Sequence, residues 1–295
     1  MESIWEKTEK LTERASLCGD ICTEAAVIGG GMTGILTAFL LYQKGVDAVV
    51  LEADRIGSGQ TGKTTAKITF QHNLLYDRLI RTFGKDRAKQ YADANRLALE
   101  FPGQLLFHPL EFIRGRSEDL CIFEKTQVLR VERDRIFCPE GTVRAKHIVF
   151  ACHYPFQKFR GLYPLRMYQE RSYVLALEKA QKLHGMYLGV DEESYSFRPF
   201  EDYVLFGGAG HRTGENRGKD PYAVLRHMAR VYWPDCREEV AWAAQDGSWM
   251  DLHRKKQIMW KQKTNKLWAV QNFHELFSGE GFLFIQIFCQ FMQLW

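Results

Sequence analysis

The residues best suited to chemistry lie near the start of the chain. Gly29, Gly31 and Gly34 form a Gly-x-Gly-x-x-Gly turn, and an acid, Glu52, follows about 20 residues later. Glycine at the first position permits a tight strand-to-helix turn. At the second it leaves bare backbone that a pyrophosphate can approach. At the third it lets the helix lie close to the strand. The free N–H groups and positive dipole end of that helix attract phosphate. A carboxylate at Glu52 accepts hydrogen bonds from a ribose and favours a free 2′-hydroxyl over a 2′-phosphate. These residue types in this order point to a dinucleotide site.

The elements that position them are readable on either side. Ala25-Ala26-Val27-Ile28 is a short apolar run of the kind that forms a buried strand. Ile35, Leu36, Phe39 and Leu40 then recur at helical spacing, and Gly45 stands where a helix stops. Val46–Leu51 reads as a second strand ending at Glu52. The stretch Ala53–Lys67 is dense in Gly, Ser and Thr and reads as a loop. Its small hydroxyl residues and N–H groups suit a second layer of cofactor contacts.

In IGGGMTG, LEADRIGSG and TGKTTAKIT the chain resembles the FAD-dependent D-amino-acid oxidase/glycine oxidase family of flavoproteins. The resemblance implies an α/β fold: a Rossmann-like FAD-binding domain with a second, smaller mixed-sheet substrate domain. It implies FAD as cofactor, with Gly29, Gly31, Met32, Thr33 and Gly34 at the pyrophosphate. Glu52 and Ala53 would hold the adenosine ribose. Ser58, Thr64, Thr65, Ala66 and Lys67 would run towards the isoalloxazine, with His72 just beyond. Val128 would meet the adenine through its backbone, and Ala151 would end a strand near the pyrophosphate. Cys152-His153 is not expected to act as a nucleophile–base pair, since neighbours in a strand point to opposite faces.

Helices are expected over Leu74–Phe83 and Asp86–Glu100, and another after the proline of Phe107-His108-Pro109. Relatives place several dozen residues before that proline, so an internal deletion near residue 100 is expected here. Leu120–Val131 and Ala145–Cys152 read as strands. From about Lys158 aromatic residues become dense, and Tyr168–Leu177, Tyr195–Pro199 and Tyr203–Phe206 read as strands of the substrate domain. Pro221–Tyr232 reads as a helix. Domain bounds follow at 20–157 for FAD binding and 158–246 for substrate. Residues 247–295 form a divergent tail, basic and aromatic and then apolar, without the Gly-rich segment and final helix of relatives. A shifted frame or truncated gene is expected there, against a divergent C-terminus that binds something. Residues 1–23 read as a polar lead-in with at most a short helix.

Composition excludes several classes. The formal net charge of +4 is small for 295 residues, and no basic stripe points to nucleic acid. Seven scattered cysteines make no metal-ligand spacing, so no metal is expected, and they fit a reducing, cytoplasmic setting. The longest apolar run, Gly281–Trp295, is short for a membrane span.

The activity implied is FAD-dependent oxidation of the C–N bond of a small amine or amino acid, by hydride transfer to flavin N5. Oxygen or another electron acceptor would reoxidise the cofactor. Such chemistry requires no acid–base side chain, so no catalytic residue is singled out. Arg171 and Arg198 are candidates for a substrate carboxylate, with Tyr173 and Tyr195 as pocket walls and His211 and Arg212 as weaker candidates. An inactive flavin-binding remnant, or an NAD-dependent dehydrogenase sharing only the first motif, are the alternatives.

Overall fold

The computed structural model describes residues 1–68, 75–100, 107–153, 156, 167–190, 194–215, 218, 220–249 and 267–269. The chain opens with helix α1 (Ile4–Thr8), then β1 (Ile21–Ile28), α2 (Met32–Gln43) and β2 (Ala48–Leu51). A short 3-10 turn, Gln60–Lys63, precedes α3 (Leu75–Phe83), α4 (Lys85–Glu100) and α5 (Pro109–Ser117). Strands β3 (Cys121–Phe123), β4 (Arg130–Glu132), β5 (Arg135–Cys138) and β6 (Gly141–Phe150) follow. After them come β7 (Met167–Glu178), β8 (Tyr187–Leu188), β9 (Ser196–Phe200) and β10 (Tyr203–Arg212). The last elements are α6 (Pro221–Tyr232), β11 (Arg237–Trp249) and β12 (Leu267–Ala269).

Two sheets organise these elements. The first runs β3-β2-β1-β6-β5-β4, with β12 also on β6. Strands β1, β2, β3, β6 and β12 pair in parallel, whereas the β4-β5-β6 pairings are antiparallel. Parallel strands are covered on both faces, which is why the second half of β1, Ala25–Ile28, is wholly apolar and wholly buried. The second sheet, β11-β7-β10-β9-β8, is antiparallel throughout. The α/β architecture with a second, smaller sheet is the one the sequence implied, and the mixing of strand directions falls in the first sheet.

Several boundaries shift. The expected strand Leu120–Val131 is two short strands, β3 and β4, with a loop between them. The strand expected over Tyr203–Phe206 runs on to Arg212 as β10, with an irregularity between Gly208 and His211. The division at 246 falls inside β11, and β12, from the supposed tail, pairs with the first sheet. The polar lead-in carries a short helix, as the sequence allowed, and that helix is packed. Ser3 caps α1 in a capping box with Glu6, and Ile4 and Trp5 are fully buried.

One core joins the sheets. It takes Trp5, Val27, Ile35, Leu36, Val50, Ile56, Ala66 and Ile113 together with Val174, Ala176, Leu205 and Trp242 of the second sheet. The opposite face of the second sheet packs Tyr173, Leu175, Leu177, Tyr195 and Phe206 against Leu225 and Ala229 of α6. Alternate residues of β7 therefore face the dinucleotide half and α6 in turn.

Candidate cofactor site

The glycine turn has the geometry its residue types require. Gly29 has a φ of +112°, and a Cβ there would meet the Ala151 carbonyl oxygen at 2.8 Å. A Cβ on Gly34 would lie 1.8 Å from the Gly29 carbonyl oxygen, so only glycine lets α2 sit this close to the turn. At Gly31, the N-cap of α2, an added Cβ would meet only the Thr61 hydroxyl, at 3.2 Å. That side of the turn is an open cradle.

Glu52 stands at its mouth. One carboxylate oxygen accepts from the Gly30 N–H at 2.5 Å and the other from the Asp54 N–H at 2.9 Å. Each oxygen has a second lone-pair direction for a ribose hydroxyl. Around it, the Gly57 N–H donates to the Gly30 carbonyl at 3.0 Å. Thr126 N–H donates to the Glu52 carbonyl and Lys125 N–H to that of Asp54, both at 2.8 Å. These bonds wrap the loop leading to Val128, itself buried, around Glu52. Ala151 N–H donates to the Ile28 carbonyl at 2.8 Å, which sets Ala151 beside the turn.

Two neighbours have different roles from those their positions suggested. The Met32 side chain is buried in the core, and its N–H donates to the Thr61 hydroxyl at 2.9 Å. Thr61, absent from the sequence reading, thus occupies one of the helix N-terminal donors. The Ser58 hydroxyl bonds within its own loop, to the Arg55 carbonyl at 2.8 Å. Thr33 is half-buried and Ala53 exposed. His72 lies outside the described residues. Burial pushes the Cys152 thiol up to about 11, so it stays protonated near neutrality and is no nucleophile.

Beyond Glu52 the loop runs to the second sheet. Lys67 is buried there, and its ammonium donates to the Ser196 hydroxyl at 2.6 Å. Burial, with the neighbouring Arg198 charge, pushes the Lys67 amine down to about 7. Arg198 is 2% exposed and donates to the carbonyls of Pro199, Thr65, Ala66 and Phe107. It is built into the wall beneath the loop, where backbone oxygens engage its guanidinium. That placement gives no support to a substrate role.

The other substrate candidates are displaced by strand alternation. Tyr173 and Tyr195 pack in the α6 cluster, and Tyr173 stacks on His211 with ring centroids 5.7 Å apart. Arg171 shares that parity and reaches Gln245 at 3.2 Å. The residues of opposite parity, with Val174 and Ala176, are Ser172, Glu170 and Tyr168. Arg212 pairs with Glu170, and its guanidinium lies 4.9 Å over the Tyr168 ring. Of the candidates read from the sequence, Arg212, the weaker one, is thus the one on the face shared with Val174 and Ala176.

Comparison with known proteins agrees with this geometry. The family profile described as FAD dependent oxidoreductase matches residues 24–113, the stretch that builds the glycine turn, Glu52 and the loop after it. FAD is the cofactor of the family, and the open cradle at Gly31 with Glu52 at its mouth fits it. A curated relative, the putative Rieske 2Fe-2S iron-sulfur protein YhfW of Bacillus subtilis, is 29% identical over 309 residues. That match takes in 77% of this chain and 60% of the relative, so the chain spans about 60% of the relative's length. Among solved structures, glycine oxidase from Bacillus cereus superposes with a TM-score of 0.61 at 16% identity, covering 92% of this chain and 94% of that one. L-proline dehydrogenase from P. horikoshii gives 0.60 at 15%, covering 92% of each chain. At such identities the likeness establishes the fold.

Proposed function

We propose that this chain holds FAD across the first crossover and uses it to oxidise the C–N bond of a small amine or amino acid. The observation that carries the reading is the Glu52 carboxylate, 2.5 Å from the Gly30 N–H at the mouth of an open glycine cradle. Bound FAD supplies a hydride acceptor at N5 for the carbon that bears the substrate nitrogen. The chain's part is to bind, orient and exclude water. Gly31 and the α2 N-terminus receive the pyrophosphate, Glu52 and Ala53 the ribose, and Val128 the adenine. Ala151, Thr64, Thr65, Ala66 and Lys67 line the path towards the second sheet.

The substrate class is supported by the solved structures of similar fold, which are named glycine oxidase and L-proline dehydrogenase. We assign the carboxylate contact to Arg212, on the sheet edge facing the dinucleotide half. Arg171 and Tyr173 are turned to α6, and Arg198 is engaged in the wall. Oxygen is one candidate electron acceptor. The curated relative's name makes an iron–sulfur centre a second. No cluster of His, Cys, Asp or Glu among the described residues could hold a metal ion.

One observation favours a second reading, a flavin-binding remnant. The alignment with the curated relative runs over 309 residues, longer than this whole chain, yet takes in 77% of it. The relative therefore carries residues without counterparts here.

Purified protein separates the readings. Flavin absorbance that bleaches anaerobically with glycine, proline or another amino acid supports the oxidoreductase. Flavin that no amine bleaches supports the remnant. Colourless protein that binds NAD overturns both.

A further inference from the structure

Four consecutive backbone carbonyls of the cofactor loop are each held by a side chain from elsewhere in the chain. Trp242 Nε1 donates to the Lys63 carbonyl at 2.7 Å, and Trp5 Nε1 to that of Thr64 at 2.7 Å. Arg198 Nη1 donates to the carbonyl of Thr65 at 3.1 Å and to that of Ala66. The three donors come from α1, β9 and β11, and all are buried, both tryptophans completely. Trp5 and Trp242 share the core that joins the two halves, and the Arg198 guanidinium lies 5.2 Å over the Trp5 ring.

We infer that Trp5, Trp242 and Arg198 are positioning residues for the flavin. They hold these carbonyls inward, so that the loop meets the cofactor with N–H groups and hydroxyls. The inference rests on the FAD reading above. Its chemistry is simple: pyrophosphate oxygens and most of the polar edge of an isoalloxazine are acceptors, and a carbonyl turned towards them would repel. A buried carbonyl also needs a donor, and the indole N–H groups and guanidinium supply one to each.

Backbone strain agrees. Ala66 has a φ of +52°, a left-handed conformation uncommon for a residue with a Cβ. Such a residue persists where its surroundings over-determine it. Here the Ala66 N–H donates to the Thr64 hydroxyl at 3.1 Å while its carbonyl is held by Arg198. The loop is thus held from both sides.

The test uses Trp5→Phe, Trp242→Phe and Arg198→Lys in the full chain. Phenylalanine keeps an aromatic ring in the core and removes the N–H, and lysine keeps the charge but replaces the planar fork with a shorter, single-nitrogen head. FAD affinity is read by quenching of flavin fluorescence on titration into apoprotein. Thermal unfolding of the apoprotein and the midpoint potential of the bound flavin are read beside it. Each phenylalanine variant is expected to bind FAD about tenfold more weakly, at a temperature where it is fully folded, and with a shifted potential. A variant that melts earlier but keeps wild-type FAD affinity and potential overturns the inference, because a purely structural role predicts that result. If one variant does not fold, the other two carry the test. Wild-type protein that binds no FAD is a separate outcome, and it refutes the FAD reading itself.

Discussion

Glu52→Gln tests the assignment where it is most exposed. Both carboxylate oxygens already accept a backbone N–H, from Gly30 and from Asp54. Their remaining lone pairs are what a ribose would use. Glutamine keeps the length and shape but offers one acceptor oxygen. Its NH2 must face either the Gly30 or the Asp54 N–H, donor against donor, and one hydroxyl partner is lost with the charge. A hydrogen bond to a charged acceptor is worth about 1.5–3 kcal/mol, so FAD should bind about 10- to 150-fold more weakly. The assay is fluorescence titration of apoprotein with FAD, beside a thermal melt of the apoprotein. The melt separates lost affinity from the cost of leaving a backbone N–H poorly paired. An affinity within about twofold of wild type would show that no ribose sits on this acid. The dinucleotide site would then have to be given up, and the amine chemistry with it.

Further outcomes follow from single contacts. Gly34→Ala places a Cβ 1.8 Å from the Gly29 carbonyl oxygen, so α2 must move off the turn. The expected loss is about 3 kcal/mol in denaturant melts, with loss of bound flavin, and unchanged stability would refute the packing argument. Arg212→Met should raise KM about tenfold for an amino acid and leave an amine without a carboxylate unaffected, because only the former uses a bidentate guanidinium contact. Equal effects on both substrates would remove Arg212 from the substrate site. Lys67→Met reports through pH. In the folded chain the Lys67 amine gives up its proton near 7, and in the unfolded chain near 10.5. Between those values the unfolded state binds more protons, so wild-type stability rises with pH, whereas below 7 the burial penalty is felt in full. Apoprotein melts between pH about 6 and 9 should show that rise in wild type and not in the variant, and parallel curves would refute it. The buried Cys138 and Cys152 thiols, pushed up to about 11, lower stability only at higher pH and are common to both proteins.

What could be read from the residues alone was what depends on near neighbours. Gly29 answers to its own φ and Gly34 to a contact five residues away, so the glycine turn announced itself. Glu52 closes a strand that starts within the same unit. The facing of β7 depends on distant partners and stayed hidden. Val174 and Ala176 are buried against one half and Leu175 and Leu177 against α6, so the strand is apolar on both faces and shows no alternation to read. Choosing Arg171 and Tyr173 by residue type then amounted to choosing a face, and the irregularity between Gly208 and His211 resets that choice on β10.

Trp5 was concealed differently. It lies among Glu2, Glu6, Lys7, Glu9 and Lys10, and charge of that density reads as a polar lead-in. Yet Ser3 and Glu6 have the spacing of a capping box, which marks the start of a helix, and Ile4 and Trp5 follow the cap directly. A capped turn with its largest residues on one side has something to bury them against. Here that surface is the underside of the cofactor loop, where Lys63 donates back to the Met1 carbonyl and to Glu6. The first residues of the chain and the glycine-rich loop therefore hold each other in place. A truncation that removes α1 should cost flavin binding even though none of its residues reaches the pyrophosphate cradle, and flavin retained at wild-type affinity after that truncation would show the loop to be self-supporting.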